Sequence, residues 1–188
     1  PLTVTQMLWV NLIMDTFAAM ALASLPPSEA VMLNKPRDRK AFIINPSMSR
    51  QIIGVGGLFF ILLLGLLYML EYAPINSMTD LLTWYPTGPR ELTNHELSIF
   101  FTVFVMLQFW NMFNARAFAT GKSTFHFKDC KGFGIIVLVI FIGQIIIVQF
   151  GGKMFNVTPL CLTDWIAIIL VTSLVLWVGE LLRLMNRR

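Results

Sequence analysis

The stretch Gln6-Met7-Leu8-Trp9-Val10-Asn11-Leu12-Ile13-Met14-Asp15-Thr16-Phe17-Ala18-Ala19-Met20-Ala21-Leu22-Ala23-Ser24-Leu25 decides how this chain is read. A helix that crosses about 30 Å of hydrocarbon needs about 20 mostly apolar residues, and this run has that length. It also carries Asn11 and Asp15 in its middle. An ionised carboxylate at that depth costs several kcal/mol unless it faces a cavity and meets a cation or a proton. Pro26-Pro27 ends the run, because proline lacks an N–H and disfavours helix before it.

Working outward, four further apolar runs have spanning length: 51–72, 97–117, 133–150 and 165–182. The segments between them, 26–50, 73–96, 116–132 and 151–164, are polar and rich in turn residues, with no internal repeat. Hydrophobic residues make up 56% of the 188 and charged residues only 13%. Soluble domains of this size carry about 25% charged residues, so the composition indicates a membrane protein. A secretory signal is a poor reading, because Pro1–Thr5 has no basic residue and the first run is interrupted by Asn11 and Asp15. The absence of an initial Met is what a piece of a longer chain would show.

The fold predicted is an all-α membrane protein, a transmembrane bundle of five helices at 6–25, 51–72, 97–117, 133–150 and 165–182. The net charge of +4 does not point to nucleic acid, since the basic residues sit in short loops between apolar runs, where they report topology. Twelve of the fourteen Lys and Arg fall on one side if all five runs span: Lys35, Arg37, Arg39, Lys40 and Arg50; Arg116, Lys122, Lys128 and Lys131; Arg183, Arg187 and Arg188. Arg90 and Lys153 fall on the other. Loops 26–50 and 116–132 and the C-terminus are therefore expected in the cytoplasm, with the N-terminus outside. This alternation requires the run holding Asp15 to span. Cys130 and Cys161 then lie on opposite sides and should not pair.

Asp15 is the residue that points to chemistry. Asn11 lies four residues earlier, on the same helical face. A carboxylate with an amide carbonyl is a hard-oxygen pair suited to calcium, magnesium or sodium, and no Cys or His accompanies it as a soft-metal site would require. The competing reading is a helix–helix hydrogen-bond pair. Calcium takes about six to eight oxygens, so other helices must supply the rest. On the 97–117 run, Gln108, Asn111 and Asn114 recur at three-residue steps and share a face. They are read first as interhelical hydrogen-bonding groups, with Gln108 and Asn111 as candidates for the surround of the ion and Gln108 for direct ligation. Gly54, Gly56 and Gly57 are expected to form a packing face. Gln144, Gln149, Thr172 and Ser173 are expected to bond between helices, and Glu180 to reach water or Arg183. His95 and His126 are expected to be surface residues. Phe100, Phe101 and Phe104 are expected to face lipid or pack, and Trp84, Tyr85, Trp110, Trp165 and Trp177 to take interfacial or packing positions.

The string from Gln6 to Thr16 closely resembles the sixth transmembrane helix of P-type II ATPases, and of the plasma-membrane calcium pumps in particular, where Phe17–Ala23 also finds its like. Pro26-Pro27 and then Lys35-Pro36-Arg37-Asp38-Arg39-Lys40 resemble the family's basic loop between helices six and seven. Gln108-Phe109-Trp110-Asn111-Met112-Phe113-Asn114-Ala115-Arg116 resembles helix eight. The resemblance runs in order along essentially the whole chain.

The resemblance implies helices six to ten of an ATP-driven calcium pump, with Asn11 and Asp15 as ion ligands. Met14 stands where two-site calcium pumps have a threonine ligand, and Gln108 where they have an acidic one, as in plasma-membrane-type pumps. That implies one calcium per cycle, at a site completed from helix four. ATP and magnesium would be bound only by the intact pump, in cytoplasmic domains that precede helix six in the family, so this segment carries no catalytic residue of hydrolysis. Its partners would be membrane lipid, helices one to five and those cytoplasmic domains, the last through the basic loop 35–40. Residues 181–188 offer no calmodulin-binding helix, which implies an unregulated pump. The location implied is a multi-pass one in the plasma (cell inner) membrane with the C-terminus cytoplasmic. The alternatives are a pump for manganese, sodium or protons, and a helical membrane scaffold without ATPase activity. A free-standing channel would need acidic rings from several chains.

Overall fold

The structure is a computed structural model that describes residues 2–25, 42, 44–117, 123–124 and 131–186. Five helices are long and apolar enough to cross a membrane: α1, Val4–Ala23; α2, Pro46–Tyr72; α3, Asn94–Ala117; α4, Lys131–Phe150; and α5, Leu162–Asn186. No strand occurs among the described residues. The basic loop 35–40, Cys130 and His126 lie outside them.

Several helices start before their apolar runs, and capping explains why. At α1, Thr3 and Gln6 form a reciprocal capping box, the Gln6 Oε1 accepting from the Thr3 amide at 2.9 Å. At α2, Asn45 Oδ1 accepts from Met48 N at 2.7 Å and Pro46 occupies the first turn, where its missing N–H costs nothing. At α3, Glu96 accepts from the Thr93 amide at 2.8 Å while Thr93 Oγ1 accepts from the Glu96 amide at 3.3 Å. Side chains thus satisfy amides that a helix start leaves without partners.

The helices alternate in direction. Near the start of α1, Thr5 Oγ1 and Gln6 Nε2 each donate at 2.8 Å to the carbonyls of Met154 and Phe155, just past the end of α4. At the other end of the same pair, Ser24 lies against Gly132. The helix α3 is the centre of the bundle and is mostly buried, whereas α2 is almost wholly exposed. The main partner of α3 is α5. Trp110 Nε1 donates to Thr172 Oγ1 at 3.1 Å, and Asn114 Nδ2 donates to the Val175 carbonyl at 3.0 Å. Phe109 and Phe113 pack their rings against Phe141 and Phe133 of α4 at centroid distances of 5.6 and 5.4 Å. Phe100 and Phe101 are buried in this core, so that stripe packs inward.

Three expectations are corrected here. Gly54, Gly56 and Gly57 pack on none of the described residues: a Cβ at any of them would meet no neighbouring atom within 4 Å among these. The bundle touches α2 near its other end, at buried Leu66 and Leu70. Ser173 bonds within its own helix, donating to the Leu170 carbonyl at 2.7 Å. His95 is not a free surface residue: its Nε2 lies 3.5 Å from Asp164 Oδ2, a fully buried carboxylate at the start of α5.

Candidate ion site on the first helix

In α1 the backbone leaves the α pattern over Trp9–Met14. There the turns are wide and of π type, and the Asp15 amide donates to the Val10 carbonyl five residues back rather than to Asn11. Such wide turns are rare and occur mostly as single interruptions of α-helices, often at functional sites. The Thr16 hydroxyl donates to the Leu12 carbonyl within the same stretch.

The wide turn divides the side chains between two faces. Val10 and Met14 are only 2% and 3% exposed and sit in the common core with Ala21. Asn11 and Asp15 are exposed, beside exposed Leu12 and Met20. None of the described residues covers this face, while the opposite face packs on α4. The structure therefore places a carboxylate and an amide on the outward side of a spanning helix. Two such groups cannot complete a calcium sphere of about six to eight oxygens. Among the described residues no three His, Cys, Asp or Glu cluster as a metal site.

Gln108 and Asn111 are half-buried on α3, and the amide oxygen of Asn111 is buried without a hydrogen-bond partner among the described residues. They ride on a helix that packs chiefly with α5, whereas Asn11 and Asp15 ride on one that packs chiefly with α4. Asn114, next on that face, is a structural group: it donates to the Val175 carbonyl and accepts from Arg183 Nη2 at 2.9 Å.

Two buried carboxylates outside the expected site, Glu96 and Asp164, both have structural work. Glu96 accepts from Arg90 and from the amides of Ile75 and Thr93 at 3.0 and 2.8 Å, beside a hollow of about 360 Å³ also lined by Pro74 and Asn76. Asp164 accepts from Ser77 Oγ and the Met78 amide at 2.8 Å each, and from Cys161 Sγ at 3.1 Å. Their oxygens are committed to holding the 73–93 loop on the bundle, which leaves little capacity for a cation. Thr93-x-x-Glu96 was a readable capping signal; the bonds of Asp164 to a loop 86 residues away were not. At the opposite end Glu180 accepts from the amide and hydroxyl of Thr124 at 3.0 and 2.9 Å and pairs with Arg183 at 3.1 Å.

The chain belongs to the family described as cation transporting ATPase, C-terminus, which matches residues 1–185. Among its relatives are the plasma membrane calcium-transporting ATPases. It is 38% identical over 186 residues to plasma membrane calcium-transporting ATPase 1 of Homo sapiens, covering 97% of this chain and 15% of that protein. It is 37% identical over 185 residues to the ATPase 1 of Gallus gallus, covering 97% and 15%, and 38% identical over 167 residues to the ATPase 2 of Oreochromis mossambicus, covering 88% and 14%. The chain thus spans about 15% of the length of the relatives it matches.

Proposed function

We propose that this chain is the membrane end of an ATP-driven calcium pump, and that Asn11 and Asp15 supply two of the oxygens that bind calcium during transport. The observation that carries this reading is the outward Asn11–Asp15 face at the wide turn of α1, with the opposite face sealed into the core. A carboxylate held there stands ready to complete its sphere with oxygens from a part of the pump outside this chain. Calcium is the cargo. Asp15 exchanges it for a proton when the site turns from the cytoplasm to the outside. ATP and magnesium act on domains outside this chain. Lipid covers the outward faces of α2, α4 and α5, and the remaining helices of the pump cover the Asn11–Asp15 face. Loops 26–50 and 116–132 and the C-terminus are cytoplasmic, following the Lys and Arg bias.

Met14 supports a single calcium per cycle. Its side chain is buried away from the Asn11–Asp15 face, and a thioether is no ligand for a hard cation. Manganese, sodium and protons suit the same oxygen pair and are the competing cargoes.

The test is ATP-dependent calcium uptake into inside-out vesicles that carry the intact pump or its Asp15→Asn variant. Uptake by the parent and none by the variant is the expected result. Hydrolysis driven by another cation without calcium uptake would overturn calcium as the cargo. Normal transport by the variant would remove Asp15 from the site.

A further inference from the structure

The wide turn that sets Asn11 and Asp15 outward begins at Trp9, and Trp9 is the one residue of that turn with a polar anchor on another helix among the described bonds. Its indole Nε1 donates at 3.0 Å to Gln144 Oε1 on α4. Its ring lies over Gly143, where a Cβ would come within 2.9 Å of the Trp9 Cη2 atom. Gln144 is 1% exposed, and its amide nitrogen has no acceptor among the described residues. A buried orphan donor costs about 1–3 kcal/mol, which an apolar residue at 144 would avoid. For packing alone, then, a glutamine here is the worse choice, and what it supplies in return is an acceptor for the indole.

We infer that Gly143 and Gln144 form a seat for Trp9, and that this seat is a positioning device for the ion ligands: it holds the wide turn of α1 open and so fixes the direction in which Asn11 and Asp15 point. The physical coupling is rotational. A π-type turn holds about one residue more than an α turn, and one residue of α-helix is about 100° of rotation. If the turn relaxed to the α pattern, the helix on the Asp15 side would swing by about that angle relative to the Trp9 side. With Trp9 seated on α4 and Met14 and Ala21 in the core, the two halves of α1 are held on either side of the wide turn and it cannot relax. The inference rests on the calcium-site reading above.

The experiment uses the intact pump and measures the calcium concentration for half-maximal uptake separately from the maximal rate. Trp9→Phe and Gln144→Leu should each raise half-saturating calcium about 3- to 10-fold, the range that loss of one typical hydrogen bond implies. Gly143→Ala should do the same by lifting the ring. Gln144→Glu, which keeps an acceptor oxygen at the same place, should stay within about twofold of the parent by the same reasoning. Trp110→Phe is the control, since it removes an equivalent indole bond, to Thr172, from a different helix pair. It should lower the amount of folded pump without moving half-saturating calcium. Unchanged half-saturation in Trp9→Phe and Gln144→Leu, with Asp15→Asn inactive, would overturn the seat and leave the calcium site standing. An equal shift in Trp110→Phe would overturn it too, and normal transport by Asp15→Asn would remove both together. If Trp9→Phe fails to fold, the milder Gly143→Ala carries the same decision.

Discussion

Gly179→Ala is a single added methyl group whose cost can be worked from contacts. A Cβ on Gly179 would fall on the Asn114 side chain, with its Cγ at 2.6 Å and its Nδ2 at 2.7 Å and its Oδ1 nearer still. Real carbon contacts do not close to such distances, so Asn114 must leave. It would give up its bond to the Val175 carbonyl at 3.0 Å and its bond from Arg183 Nη2 at 2.9 Å. Forced repacking costs about 1–3 kcal/mol, and two lost hydrogen bonds, one of them charge-assisted, cost about 2–4 kcal/mol together. A gain of up to about 1 kcal/mol from replacing a helical glycine offsets part of this. The net expectation is a loss of about 4 kcal/mol. The assay is thermal stability of the detergent-solubilised full-length protein, followed by size exclusion of a fluorescent fusion. A double-mutant cycle makes it decisive: Asn114→Ala removes the obstacle, so Gly179→Ala added to it should cost nothing further. Additive losses in the double variant would refute the argument.

Two other outcomes follow from the same structure. Asp164→Ala should destabilise by about 3 kcal/mol, because it strands the buried Met78 amide and removes a charge-assisted network, while His95→Ala, at a partly exposed partner 3.5 Å away, should cost under about 1 kcal/mol in the same melting assay. Met14→Thr should not create a second calcium site, because residue 14 points into the core. Transport stoichiometry should stay at one calcium per ATP while stability falls by about 1–3 kcal/mol from the lost side-chain volume and the buried hydroxyl.

The fold was legible because the bilayer leaves few choices. A run such as 133–150 can only be a spanning helix, and the one run with polar residues at its centre was admitted by the charge alternation of the loops. The family was legible from the Gln6–Thr16 string. What did not show was everything decided by packing rather than by composition. The wide turn over Trp9–Met14 has no marker of its own, since each of its residues also suits an α-helix. Gly54, Gly56 and Gly57 look like a contact face, but whether a glycine face is used depends on which helix arrives, and none of the described helices does. His95 looked like a solvated loop residue because Asp164, which it approaches, is distant in sequence and enters from the start of another helix. Asn11 and Asp15 could be singled out, but only the structure separates their face from that of Met14.

The most enclosed helix, α3, is also among the more polar, carrying Glu96, Ser98, Thr102, Gln108, Asn111 and Asn114. Inside the finished bundle this is harmless, because α5 and α4 shield it. During synthesis the order is different. The strongly apolar α2 precedes α3 and can partition into lipid unaided, whereas α3 carries groups that lipid does not welcome, and its main shield, α5, comes two helices later in the chain. The central helix therefore reaches the translocation machinery before the element that shelters it exists. Whatever inserts this domain has to hold α3 without its main cover until α5 has been made.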